Sequence, residues 1–229
     1  MSIVNFSLEG KVALIAGGSR GIGQAIALAF AENGADVINL SLGTFQNDPT
    51  MEQAVNWAYG KGSLVVAAAG NYGVSLPFYP AAYDHVIGVA STNSNDNRSY
   101  FSNYGYYIDL AAPGESIIST VPGSYGYKSG TSMSTPHVSG LAALVWPVYS
   151  HYTNDQIEAR LEQTAVDLGS PGWDEYYGHG RIDAYQAVCR PDLSASPDDL
   201  TFLMDDVSGP IPSYYTVQVF SLGCWPITW

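Results

Sequence analysis

Apolar residues along this chain fall mostly in short unbroken runs, not in strict alternation. Lys11–Ala16, Val37–Leu42, Leu64–Ala68, Asp84–Ala90 and Tyr107–Ala111 each read as a strand covered on both faces, the pattern of parallel sheets. Helical stretches lie between and after them. Gln24–Asn33 is alanine-rich and meets Gly34, a suitable C′ stop. A second helix is expected from Thr50, with Gln53 placed as in a capping box, to about Gly60–Gly62. A small-residue apolar stretch, Val138–Trp146, reads as a buried helix stopping before Pro147. A last helix, about Asn154–Thr164, has Thr153 as its cap and Gln156 behind it. Strands alternating with helices predict an α/β protein built on a doubly wound, mainly parallel sheet.

The pattern changes after Val188. Pro191, Pro197, Pro210, Pro212 and Pro226 break up the remainder, where Leu200–Leu203 and Tyr215–Phe220 read as strands. This piece resembles the opening strands of a bacterial immunoglobulin-like module, but it is too short to complete such a sandwich. The expected organisation is therefore residues 1–36, residues 37–188, and a short β-rich or disordered tail over 189–229.

Composition narrows the partners. A chain of 229 residues can bury one substantial core. Its formal net charge of −13 leaves no basic patch for phosphates, which excludes nucleic acid and disfavours anionic membrane surfaces. No apolar run approaches the roughly 20 residues that span a bilayer. Met1–Glu9 lacks the pattern of a secretory signal, so the sequence assigns no compartment. Cys189 and Cys224 permit at most one disulfide and have no metal-like spacing; two thiols are the plainer expectation.

The chemistry concentrates in Gly130-Thr131-Ser132-Met133-Ser134-Thr135-Pro136-His137-Val138-Ser139-Gly140. A serine on a Gly-Thr turn before a helix sits where developing negative charge is stabilised. Asn71 follows the Val65–Ala68 run through Ala69-Gly70, so its side-chain amide lies just past a strand end. Acyl transfer by serine also needs a base and a group orienting that base.

The run around Ser132 resembles the nucleophile segment of subtilisin-like serine peptidases. The resemblance covers about residues 34–188 and implies a subtilisin-like fold, N-terminally truncated. It implies Ser132 as nucleophile, with Asn71 and the Ser132 N–H as oxyanion donors. Asn39-Leu40-Ser41-Leu42-Gly43 resembles the edge strand lining the substrate cleft, with Ser41, Leu42 and Gly43 pairing to the peptide. Ala68, Ala69 and Gly70 resemble the opposite wall, so an extended peptide or protein substrate is the implied partner. Phe101–Gly105, Asp109–Gly114 and Gly178–Ala184 are also typical of that family. No cofactor is expected; the family allows calcium, but no acidic loop identifies a site. The family's aspartate and histidine segments precede the Asn39–Gly43 strand, and residues 1–36 contain no histidine. His85, His137, His151 and His179 all lie elsewhere, and each reads as a surface or hydrogen-bonding residue.

Leu8–Gly23, with Gly17, Gly21 and Gly23, resembles the opening of a short-chain dehydrogenase/reductase, which implies a pyrophosphate cradle. That family's Tyr-x-x-x-Lys pair is absent, and Tyr125 and Lys128 are expected in a loop. Three readings follow: a serine endopeptidase impaired by the missing aspartate and histidine, an inactive peptide-binding or structural remnant, and a weak nucleotide-binding module.

Overall fold

The computed structural model describes residues 34–189 in full, together with the backbone of Lys11–Ile15, Leu193–Ser194 and Phe220–Ser221. Five parallel strands form one sheet: β1 (Lys11–Ile15), β2 (Ala35–Leu40), β3 (Leu64–Ala68), β4 (Val86–Thr92) and β5 (Leu110–Pro113), side by side in chain order. The expected Gln24–Asn33 helix lies outside the described residues.

Burial on both faces explains the unbroken apolar runs. Ile38, Val65 and Val86 occupy one row of the register, and Leu40 and Ala67 the next. They share a core with Met51, Val55 and Ala58 of α1 (Pro49–Gly60). The alternate residues Val37, Val66, Ile87 and Leu110 are also buried. On that side α2 (Thr131–Val148) packs across the strands and buries Val138, Leu141, Ala142 and Val145. Helices on opposite faces of a parallel sheet confirm the doubly wound α/β architecture.

Several boundaries differ from the expectation for local reasons. Helix α1 is capped by Asp48, whose Oδ1 accepts from Thr50 N–H at 2.9 Å, with Pro49 in the first turn. Helix α2 starts at Thr131, not Val138, and includes Pro136 and Pro147. Pro147 lies one residue before the helix end, so its ring interrupts only the last turn. Helix α3 (Asn154–Gln163) carries the expected capping box, with Thr153 and Gln156 bonding reciprocally. A short α4 covers Ala184–Val188.

An antiparallel hairpin, β6 (Ile117–Val121) and β7 (Ser124–Lys128), turns at Pro122-Gly123, where Gly123 has φ +75°. This corrects the loop expected around Tyr125 and Lys128. The Pro-Gly pair between two β-rich segments was the available signal.

The chain forms two units, Met1–Ala187 and Val188–Trp229. In the second, β8 (Leu193–Ser194) pairs antiparallel with β9 (Phe220–Ser221). The Leu200–Leu203 strand and most of Tyr215–Phe220 lie outside the described residues. Cys189 is disulfide-bonded, which corrects the expectation of two thiols.

Candidate active site

The site lies where β2 and β3 end and α2 begins. Gly130 caps α2 with φ +154°, a left-handed value that suits glycine, and offers no capping side chain. The first N–H groups of α2 have no intrahelical acceptor, and the Ser132 N–H is among them. That of Thr131 is taken by Asn71, whose Oδ1 lies 2.8 Å away. The same Oδ1 accepts from Thr131 Oγ1 at 3.0 Å, while Thr131 Oγ1 accepts from Gly70 N–H at 3.1 Å. Two hydrogen bonds to its oxygen fix the orientation of the Asn71 amide, and a Cβ built on Gly130 would stand 3.3 Å from its Nδ2.

Pro136 shapes the other flank. Lacking an N–H, it leaves the Ser132 carbonyl without its usual helical donor. That carbonyl accepts from Ser41 Oγ at 2.9 Å instead. The Ser132 Oγ in turn donates to the Ser41 carbonyl at 3.4 Å. A buried polar chain ties this pair to the core: Ser41 Oγ accepts from Asn39 Nδ2 at 2.9 Å, and Asn39 Oδ1 accepts from Ser139 Oγ at 2.8 Å. Asn39 and Ser139 are both buried, and Ser139 lies two turns down α2 from Ser132.

The two expected walls are brought together around this centre. Ser41, Leu42 and Gly43 run past the carboxyl end of β2 and are half-buried. The strand itself is interior, flanked by β1 and β3, so the expectation of an edge strand is corrected: only Ser41–Gly43 is unpaired with the sheet. Opposite, Ala68 ends β3 and Ala69 and Gly70 continue it, all three buried. The Tyr107 hydroxyl donates to the carbonyls of Ala69 (3.1 Å) and Leu76 (3.2 Å), and burial pushes its pKa up to about 12.

Each histidine is engaged away from Ser132. His85 stacks on Tyr59 at 3.8 Å, and His137 Nδ1 lies 2.8 Å from the Met133 carbonyl. His151 meets Tyr152 edge-on, and His179 Nε2 is 3.7 Å from a Glu162 oxygen. Gly17, Gly21 and Gly23 lie outside the described residues.

Missed by sequence reading were Thr131, Asn39 and the acidic group beside α3. Asp109, Glu158 and Glu162 each place a carboxylate oxygen within 4.8 Å of the others. Calcium takes six to eight oxygens. One oxygen from each makes three, short of that number, and Asp109 Oδ2 accepts from Gly88 N–H at 2.7 Å. Among the described residues no helix is long and apolar enough to cross a membrane.

Fold and site together define a parallel α/β protein that presents a serine at a helix start, with an asparagine amide fixed by the residue before that serine. Comparison with known proteins places it further. The model of the subtilase family (Peptidase_S8) matches residues 15–180, and the chain belongs to that family. It is 49% identical over 168 residues to the thermophilic serine proteinase of Bacillus sp. (strain AK1), covering 73% of this chain and 41% of that protein. It is 50% identical over 159 residues to thermitase of Thermoactinomyces vulgaris, covering 69% and 56%. The crystal structure of a lanthipeptide protease superposes with a TM-score of 0.67 at 30% identity, covering 72% of this chain and 64% of that one. The chain spans about half the length of the curated relatives it matches.

Proposed function

We propose that this chain carries the peptide clamp and nucleophile of a subtilisin-like serine endopeptidase without the base that would activate it. Ser132 is the nucleophile. Asn71 Nδ2 and the Ser132 N–H are the oxyanion donors. Ser41–Gly43 and Ala68–Gly70 hold an extended peptide between them by main-chain pairing. What carries the reading is the pair of hydrogen bonds from Thr131 to Asn71 Oδ1, which fixes the amide beside Gly130 at the start of α2. Supporting the loss of activation, all four histidines are engaged elsewhere and residues 1–36 contain none. A serine hydroxyl without a base is a weak nucleophile at neutral pH, so the chain binds peptides and hydrolyses them slowly at best.

Turnover of chromogenic peptides tests this. The expected rate does not exceed that of a Ser132→Ala control. Cleavage that disappears in the control would overturn the proposal.

In this reading Gly17, Gly21 and Gly23 do not cradle a nucleotide. The subtilase match begins at residue 15 and runs through these residues. Nicotinamide dinucleotides are expected to leave the melting temperature unchanged; a concentration-dependent rise would restore the nucleotide-binding alternative.

A further inference from the structure

Between the two walls of the clamp lies a ring that the reading above does not use. Phe78 sits in the segment after the second wall, and main-chain bonds bind that segment to the first. Thr44 N–H donates to the Tyr79 carbonyl and Tyr79 N–H to that of Thr44, both at 2.8 Å. Phe78 is thereby held beside Gly43. A Cβ built on Gly43 would stand 2.2 Å from Phe78 Cε1, and one built on Gly70 3.0 Å from Phe78 Cδ1. One edge of the ring therefore touches both walls, at the residues where each wall has no side chain. The ring is 6% exposed.

Two further rings close over it. Phe45 extends from the first wall and Tyr72 from the second, and their centroids lie 4.9 Å apart. They stand 5.1 and 6.0 Å from Phe78 respectively. Both are exposed, so they form the rim, and Phe78 forms the floor.

We infer that Phe78 fills the cavity between the walls, so the clamp selects peptides with glycine or alanine at the residue whose carbonyl meets Ser132. This inference rests on the clamp assignment above. A large side chain entering between Gly43 and Gly70 meets the Phe78 ring, whose displacement would break its packing against both walls. Main-chain pairing to Ser41–Gly43 and Ala68–Gly70 is unaffected by a methyl group or a hydrogen there.

The test titrates the full, isotope-labelled chain with N-acetyl-Ala-Ala-Pro-Xaa carboxylates, where Xaa is Ala or Phe. Backbone N–H shifts of Gly43 and Gly70 report occupancy. The alanine peptide is expected to bind at least ~10-fold more tightly than the phenylalanine peptide, the scale of discrimination a filled apolar pocket achieves. Phe78→Ala, with its fold checked by a cooperative melt, is expected to reverse or erase that preference. The comparison of peptides on the unaltered chain stands without the variant. Equal or tighter binding of the phenylalanine peptide, with shifts at Gly43 and Gly70, would overturn the inference and keep the clamp. Absence of shifts with every peptide would remove the clamp and the inference together.

Discussion

Asn71 is exposed, yet its orientation is set by a buried neighbour. Thr131 is fully buried, donates twice to the Asn71 oxygen, and accepts from the Gly70 N–H. Thr131→Val keeps the shape, removes one donor, and leaves the Gly70 N–H unpaired in the interior. The expected cost is about 1–3 kcal/mol, seen as a lower melting temperature, because an orphaned buried donor loses its full solvation. Thr131→Ser, which keeps the hydroxyl, should lose far less. Equal melting temperatures for the valine variant and the unaltered chain would show that the hydroxyl does not hold this corner. Asn39 is the counterpart on the other flank. It satisfies Ser41 and Ser139 at once from a fully buried position. Asn39→Ala opens a buried cavity and removes one partner from each hydroxyl, so its melting temperature should fall by more than that of Ser139→Ala.

At the scale of elements, helix α3 was legible almost to the residue. Its cap, Thr153 with Gln156, is a local signal that tertiary packing does not override. Thr153→Ala should therefore cost about 0.5–2 kcal/mol in a chemical-denaturation midpoint, with the slope unchanged. Helix α2 was expected from Val138 and begins at Thr131. Pro136 falls in its second turn, and there the orphaned Ser132 carbonyl finds Ser41 Oγ from β2. That bond spans 91 residues of sequence, so no local rule could find it. The strands of the parallel sheet were legible for the opposite reason: short apolar runs bounded by turn residues are a local pattern. Asn39 and Thr131 escaped notice because a buried asparagine or threonine resembles its surface counterpart until the partner is placed. The β6–β7 hairpin was missed although Pro122-Gly123 marked its turn.

Across the whole molecule, acidity is the dominant electrostatic feature, and part of it is buried. Burial, then Glu162, then Asp155 push the Glu158 carboxyl up to about 7. Burial also raises Asp109, against the Gly88 N–H bond that lowers it, with Glu158 and Glu162 adding to the rise. Glu162 is raised by burial and lowered by His179. A carboxyl with a raised folded-state pKa binds more protons folded than unfolded. Stability therefore falls as pH rises from the ordinary glutamate range, near 4.5, through about 7, and levels off above it. Melting temperature measured from pH 5 to 8 should decline over that window, and Glu158→Gln should flatten the decline and raise the value at pH 8. A melting temperature that rises from pH 5 to 7 would contradict this account of the cluster.

We propose Ser132 as a nucleophile beside its oxyanion donors with no base to activate it. The most direct measurement is fluorophosphonate labelling of the purified full chain, read by intact mass beside a Ser132→Ala control, with a melt recorded on the same sample. The account predicts a cooperative melt and labelling slower by a factor on the order of 10³ or more than a base-assisted serine allows. Rapid, stoichiometric labelling that vanishes in Ser132→Ala would contradict it, because it would require a base acting on this hydroxyl.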